Sequence, residues 1–379
     1  MDTPRHSADD VQCVSALSSF SAHEWNALSG SQPFLQHGFL DAQEHSQSVA
    51  PESGWEPHHL ALRDKGKLIG ALPLYRKYHS YGEFVFDWGW ADACQRAGIA
   101  YYPKLLSAVP FTPVTGPRLL GHQADALIEA GKREAERGQH VSWHVLFPAR
   151  DELALWRAHD FMVREDCQFQ WFDRDYGDFD GFLGALKSRR RKEIRRERRQ
   201  VHEAGVTLRT LAGEDLDPDT LSQVYGCYTA AYAIRGQQPY LRPGFFRAIV
   251  KTQPDSIVVF AAFRDGHMVA AAICFRDDEC LYGRHWGSLV DIPGLHFEAC
   301  YYQGIAYCLD QGLGRFEPGT QGEHKISRGF EPVPVYSAHY IRHPGLRDAI
   351  ADFLQRETPV IADYRERAAE LLPYKERQA

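Results

Sequence analysis

Glu323, His324, Lys325 and Arg328 fall within six residues of a glycine-punctuated stretch, Gly319-Thr-Gln-Gly-Glu-His-Lys-Ile-Ser-Arg-Gly-Phe330. Such a cluster offers cations for a developing oxyanion or a phosphate, and acid–base groups that move a proton. Polar loops held by regular elements are where chemistry concentrates. Upstream, Glu298 lies in a segment whose apolar residues Leu295, Ala299, Tyr302, Ile305, Ala306 and Leu309 have helical spacing. A carboxylate on an apolar helix face tends toward a raised pKa, which suits a general base. The structural alternative is an ion pair with an arginine such as Arg284. Arg284, His285 and Trp286 sit on the preceding expected strand, where alternation sends His285 to the face opposite its neighbours. The expected roles are proton acceptor for Glu298 or His285 and oxyanion or phosphate stabiliser for Lys325. Arg284, Glu323, His324 and Arg328 are expected to contact substrate.

A second cationic feature is Lys187-Ser-Arg-Arg-Arg-Lys-Glu-Ile-Arg-Arg-Glu-Arg-Arg199, with nine cationic and two acidic residues in a chain of net charge −7. That local excess attracts phosphates in a salt-dependent way. Arg190, Arg191 and Arg195 are the expected grips on a donor phosphate, whether of tRNA, coenzyme A or an anionic lipid headgroup. Internal pairing with Glu193 and Glu197 would instead make the segment an ordinary solvated helix. No aromatic residue interleaves it, so base stacking is not expected. In the first half, Asp87, Trp88, Trp90, Asp92, Tyr101, Tyr102 and Lys104 mix aromatic and charged groups. Trp88, Trp90, Asp92 and Lys104 are expected to bind substrate in a cleft between lobes; a packed structural cluster is the alternative.

The second half reads as strand, helix, strand, two helices and three strands. The Glu298 helix, the short strand Arg315–Pro318, the polar loop, a strand at Val333–Ile341 and a terminal helix complete it. The basic helix is expected over 182–204. In the first half the expected elements include a hairpin, His58–Arg63 and Lys67–Tyr75, a third strand at Glu83–Asp87 and a helix over Ala91–Leu106 interrupted near Tyr102-Pro103. Ala61-Leu-Arg-Asp-Lys-Gly-Lys-Leu-Ile-Gly-Ala-Leu-Pro-Leu74 resembles Ala262-Phe-Arg-Asp-Gly-His-Met-Val-Ala-Ala-Ala-Ile-Cys-Phe275 without a gap, which points to duplication.

At 379 residues and 44% hydrophobic composition the chain can bury two cores, and wholesale disorder is excluded. The eight cysteines show neither C-x-x-C nor zinc-finger spacing. Reduced thiols in a cytoplasmic protein are therefore expected, with no metal site. No cysteine stands in a Cys-His context that would favour covalent catalysis. Met1-Asp-Thr-Pro-Arg-His does not read as a leader, and no run approaches the ~18 apolar residues of a membrane span.

The element order is that of the GNAT (N-acetyltransferase-like) fold, present twice. In this the chain resembles the Fem-type peptidoglycan aminoacyltransferases and the FemAB-like family of predicted N-acyltransferases. The resemblance is sharpest at Pro33–Phe39, Tyr81–Asp92, Tyr101–Pro117 and Phe316–Phe330, and runs from about residue 12 to 375. It implies an α+β fold of two GNAT-like lobes, 1–165 and 166–379, each a mixed, mostly antiparallel sheet flanked by helices. It also implies transfer of an acyl or aminoacyl group to a small-molecule or peptide amine, in a peptidoglycan or cell-envelope setting inherited from the Fem enzymes. Lys325 matches a lysine preceding Gly-Phe in the Fem-like pattern. No tightly bound cofactor is implied; acyl-CoA or aminoacyl-tRNA would be the co-substrate. The usual pyrophosphate signature of coenzyme A, Q/R-x-x-G-x-G/A, is absent from Ser288-Leu-Val-Asp-Ile-Pro-Gly-Leu295 and met only at Gln95-Arg-Ala-Gly-Ile-Ala100, inside an expected helix. From another class, a non-catalytic module binding tRNA or another polyanion through the basic helix accounts for the same charge run.

Overall fold

The computed structural model describes residues 6–85, 87–320 and 322–375. The leader reading rests on residues 1–5, outside that range. Two compact units emerge: Met1–Asp166 with Pro334–Ala362, and Cys167–Val333 with Asp363–Ala379. A simple division at 165/166 thus differs from the structure for Pro334–Ala362. The reason is packing. Ser337–Ile341 pair antiparallel with Ser142–Leu146, and Leu346, Ile350 and Leu354 pack with Trp90, Cys94 and Tyr101.

In the first unit, the hairpin His59–Asp64 and Lys67–Leu72 is flanked by Val11–Val14 on one edge and Leu120–Gly121 on the other, all antiparallel. A second set of strands runs in the order Trp55–Pro57, Tyr75–Lys77, Lys104–Ser107, Ser142–Leu146, then residues 337–341. The helix Ala124–Arg137 buries Leu127 and Ile128 in a core with Leu60, Leu72, Trp143 and Trp156. Two expectations fail here. Residues 83–85 and 87 are not strand, Phe86 lying outside the described residues, and the expected helix over 91–106 ends at Arg96. Tyr102-Pro103 disfavours helical backbone, and Lys104–Ser107 becomes a buried strand instead.

The second unit is a meander of Thr207–Ala212, Ile257–Arg264, His267–Arg276 and Cys280–Ser288. Arg315–Glu317 then joins parallel to Cys280–Ser288 and antiparallel to Trp171 and Phe172. The central strands are almost wholly apolar, from Ile257 to Ala262 and from Met268 to Phe275, because both faces are covered. Pro218–Ala233 and Pro243–Thr252 each begin with proline at the first turn, and Asp217 caps the former by accepting from Thr220 N at 2.7 Å. The expected single basic helix is two, Phe179–Ala185 and Ser188–Glu203. Leu186 between them is extended, fully buried and bridged to Tyr374, which fixes the break.

Each unit carries the same hairpin device. Lys65-Gly66 and Asp265-Gly266 both hold positive φ, as a two-residue turn of the hairpin-favouring hand requires. Both hairpins slip register just before the turn, at Leu62/Arg63 and at Ala262/Phe263. These features equate Gly66 with Gly266. The pairing by identity, which aligns the Arg-Asp dipeptides, is therefore one residue out. No described helix is long and apolar enough to cross a membrane.

Candidate active site

The second unit's site begins with a broken strand pair. Cys280, Leu281 and Tyr282 pair with Arg315, Phe316 and Glu317, and there pairing stops although the first strand continues to Ser288. Beyond that point the chain at Gly283 faces Pro318, 3.3 Å from where a Cβ would stand. On its other side the strand skips register: Ile273 pairs with His285 and Cys274 with Gly283, leaving Arg284 as an extra residue. A bulge re-aims side chains and breaks alternation. Arg284 and His285 consequently do not follow the strict in–out pattern expected for them. The His285 ring meets Tyr228 at 5.0 Å, and the Arg284 charge is felt by Tyr232 on the same helix. That helix packs backbone to strand: a Cβ on Gly287 would stand 1.7 Å from the Cys227 carbonyl oxygen.

Around the bulge the electrostatics are unusual. Lys325 is buried, with Nζ donating to the Gly319 carbonyl at 2.5 Å. Among the described residues its ammonium meets no carboxylate. Burial pushes it down to about 7; Cys300 acts against this, and Arg284, more weakly, acts with it. Burial raises the Glu317 carboxyl to about 7, although Arg315 and Arg284 act to lower it. Burial also brings Arg284 to about 10 and, with Arg284, His285 to about 3, so His285 is a neutral and weakly basic imidazole. Cys300 and Cys274 are held as protonated thiols, chiefly by burial. An acid and a base that both titrate near neutrality, next to a guanidinium, can hand protons and stabilise an oxyanion.

Glu298 is buried, but at the start of a π-helical turn, Glu298–Tyr302, rather than within a regular helix. Its oxygens accept from Arg198 Nε at 3.2 and 3.1 Å and from Gln303 Nε2 at 2.7 Å. Arg198, not Arg284, is thus its ion-pair partner. Glu298 and Arg198 open onto a cleft of about 730 Å³ that Arg195, Arg199, His202 and Gln303 also line. The structure therefore places Glu298 and Arg195 on one cleft, and Lys325 within electrostatic reach of Arg284. The remaining residues of the loop have separate partners. Arg328 is buried, donating to Tyr302 Oη at 2.9 Å and to Glu197 at 2.8 Å, with its guanidinium over Phe297. It ties the loop to the basic helix. His324 is exposed and shares a 2.7 Å hydrogen bond with Tyr301, while exposed Glu323 accepts from Tyr364 at 3.0 Å.

On the basic helix, Arg190 pairs with Glu193 at 2.7 Å and Arg195 with Asp180 at 3.0 Å. Arg191 is half-buried. The exposed cations Arg189, Lys192, Arg195, Arg196 and Arg199 line a groove of about 610 Å³ along this helix.

In the first unit the expected substrate residues part company. Lys104 is fully buried, donating to Glu83 and Ser80 at 2.8 and 2.9 Å and bonded to Asp87 as well. Trp90 is buried against His339, whereas Trp88 is exposed and Asp92 is an exposed partner of Arg96. Tyr101 donates to Asp87 at 2.6 Å, and Tyr102 shares a 2.7 Å bond with Ser80.

Sequence reasoning missed Glu317, Glu83 and Tyr232 as members of these clusters. The signal for Glu317 was present: an acidic residue ending the short strand Arg315-Phe-Glu, directly before Pro318-Gly319. Glu83 carried none, because its partner Lys104 is distant in sequence.

The sequence profile of the FemAB-like family, described as peptidoglycan biosynthesis/recognition, matches residues 16–376. No curated protein matches by sequence. Solved structures share the fold at low identity. One is FemX, 12% identical, with TM-score 0.53 over 87% of this chain and 98% of that one. Another is a C-terminal domain assigned to a lysylphosphatidylglycerol synthetase of Agrobacterium fabrum, 10% identical, with TM-score 0.53 over 87% and 94%. A third is L-PGS from Bacillus licheniformis, 9% identical, with TM-score 0.50 over 83% and 94%. The likeness spans both units, and the α+β fold of two GNAT-like lobes is as expected.

Proposed function

We propose that this chain, which belongs to the FemAB-like family, moves an acyl or aminoacyl group from an activated ester or thioester to an amine. The setting is cell-envelope precursor metabolism, peptidoglycan first, on the cytoplasmic side where such donors are made. The observation that carries this reading is the Arg284 bulge at the point where two strands part, with Lys325 and Glu317 beside it and both titrating near 7. Glu317 takes the proton of the attacking amine. Lys325 and Arg284 steady the oxyanion of the tetrahedral intermediate. His285 and Tyr228 pack the wall, and Glu298 fixes Arg198 at the rim of the arginine-lined cleft. Arg190, Arg191 and Arg195 serve the donor phosphates and Glu323 and His324 the acceptor, while Arg328 holds the loop against the basic helix. Aminoacyl-tRNA is the preferred donor, because the groove of five exposed cations suits a polyanion; acyl-CoA is the other.

The test measures melting temperature against acetyl-CoA, longer acyl-CoAs, uncharged and charged tRNA and soluble peptidoglycan precursors, followed by a transfer assay with whichever donor shifts it. A native-state ligand raises the melting temperature with concentration. Transfer lost in Glu317→Gln and Lys325→Met supports the reading, and wild-type turnover in both ends it. The groove also favours a second reading, a tRNA-binding module without catalysis. It predicts a steeply salt-dependent tRNA shift with no acyl consumption.

A further inference from the structure

Outside that site, in the first unit, three elements bring together a thiol, an imidazole and a carboxylate. Cys13 stands exposed on the edge strand Val11–Val14, His58 directly precedes the strand His59–Asp64, and Glu134 lies on the helix Ala124–Arg137. Cys13 Sγ is 3.1 Å from His58 Nδ1, and His58 Nε2 is 2.9 Å from Glu134 Oε2. Glu134 is itself held, its other oxygen accepting from Arg137 at 2.6 Å. The absence of a Cys-His context expected from sequence is therefore corrected by the fold, because 45 residues separate the two.

We propose that Cys13, His58 and Glu134 form a nucleophilic triad that accepts acyl groups from esters or thioesters on Cys13. The geometry is that of nucleophile, base and orienter. Glu134 fixes the tautomer with the proton on Nε2, which leaves the Nδ1 lone pair facing the thiol. Burial and Glu134 raise the Cys13 thiol to about 11, so at rest it is protonated and needs His58 at the moment of attack. The Sγ–H proton passes to Nδ1 as Sγ bonds the carbonyl carbon. The bond from that carbon to the leaving oxygen or sulfur then breaks, and the imidazolium returns its proton to the leaving group or to solvent. A thioester remains on Cys13. The same three side chains could be read as a metal cage. One donor atom from each lies within 4.8 Å of the others, so zinc is included in the test below, while the thiol and the carboxylate contact different nitrogens of the ring, as a base and its orienter require.

The experiment exposes the folded full chain to p-nitrophenyl acetate at pH 7.5, with N-acetylcysteine in the same tube, and follows acetylation of each cysteine by peptide mass. Cys13 should acetylate at least tenfold faster than N-acetylcysteine. His58→Gln should slow it by about 100-fold, as expected for loss of a general base, and Glu134→Gln by about tenfold. Labelling of Cys13 slower than N-acetylcysteine overturns the proposal, since a thiol with a raised pKa and no working base would behave so; this comparison needs no variant to fold. One equivalent of zinc, bound tightly and blocking Cys13 acetylation, would overturn it in favour of a metal site. Loss of transferase activity alone bears on the other unit and leaves this readout unaffected.

Discussion

Replacing Lys325 by methionine should make the protein more stable and inactive. Methionine fills the same length of buried space without an ammionium to desolvate. In the folded chain burial drives Lys325 from 10.5 to about 7. That difference corresponds to about 5 kcal/mol between the two protonation states. The sign follows from proton binding. Between pH 7 and 10.5 the unfolded chain holds the Lys325 proton and the folded chain does not. Stability attributable to this group therefore rises with pH across the window, and the penalty is fullest below the folded value. Methionine removes the penalty but strands the Gly319 carbonyl, which costs about 1–3 kcal/mol. A net gain of about 2–4 kcal/mol at pH 6–7 remains; at about 1.4 kcal/mol per pH unit it falls to zero between about pH 8 and 10 and reverses above that. Urea denaturation of wild type and Lys325→Met at pH 6, 7.5 and 9.5 measures it. A variant that is destabilised at pH 6, or whose difference from wild type ignores pH, would refute the claim that this lysine is held against its own solvation. Full transfer activity in the variant would separate that burial from catalysis.

Three further outcomes follow from the same geometry. Lys104→Met should destabilise by about 3–5 kcal/mol, because Asp87 would be left as a buried carboxylate without its cation and Glu83 with only Lys77 at 4.0 Å; a loss under about 1 kcal/mol in urea denaturation contradicts the ion cluster. With Glu317 as base, transfer should rise as pH climbs through about 7, where its carboxyl deprotonates, and fall as Lys325 loses its proton in the same region. The pH–rate profile is then a narrow bell, and Glu317→Gln should lose at least about 100-fold with the rising limb gone. Combined Arg195→Glu, Arg196→Glu and Arg199→Glu should flatten the log–log salt dependence of tRNA binding by about 2; an unchanged slope removes the groove from the donor's path.

Periodic features were legible from sequence. The apolar runs Ile257–Ala262 and Met268–Phe275, the Gly-marked hairpins and the proline-started helices are local patterns, and they folded as patterned. What failed was whatever depends on a partner far along the chain. Nothing near Glu83 announces Lys104, nothing near Cys13 announces His58, and the pairing of Glu298 with Arg198 crosses 100 residues. The Arg284 bulge escaped for a different reason. Register is set by two strands jointly, so alternation read along Arg284-His285-Trp286 alone could not reveal a residue with no opposite number. Family membership, by contrast, was readable because it rests on contiguous stretches such as Phe316–Phe330.

Three buried lysines show how burial alone can mislead and how partners sort function from support. Lys104 faces Glu83 and Asp87, and despite burial its pKa rises; its charge is repaid within the fold. Burial alone would raise Asp87, yet Lys104 and His144 hold that carboxyl below its usual range, so the pair stays ionised together. Lys77 is intermediate: burial brings it to about 7, but Glu83 lies 4.0 Å away and Trp55 offers its ring face at 4.4 Å. Lys325 has only a backbone carbonyl among the described residues. Its desolvation is therefore not offset by the folded chain itself. An uncompensated buried cation survives selection for stability only if something outside the chain compensates it, and an oxyanion or acyl carbonyl arriving beside Arg284 would do so. On that argument the proposed site is better placed at Lys325 than at Lys104, even though Lys104 stands in the denser cluster of charge.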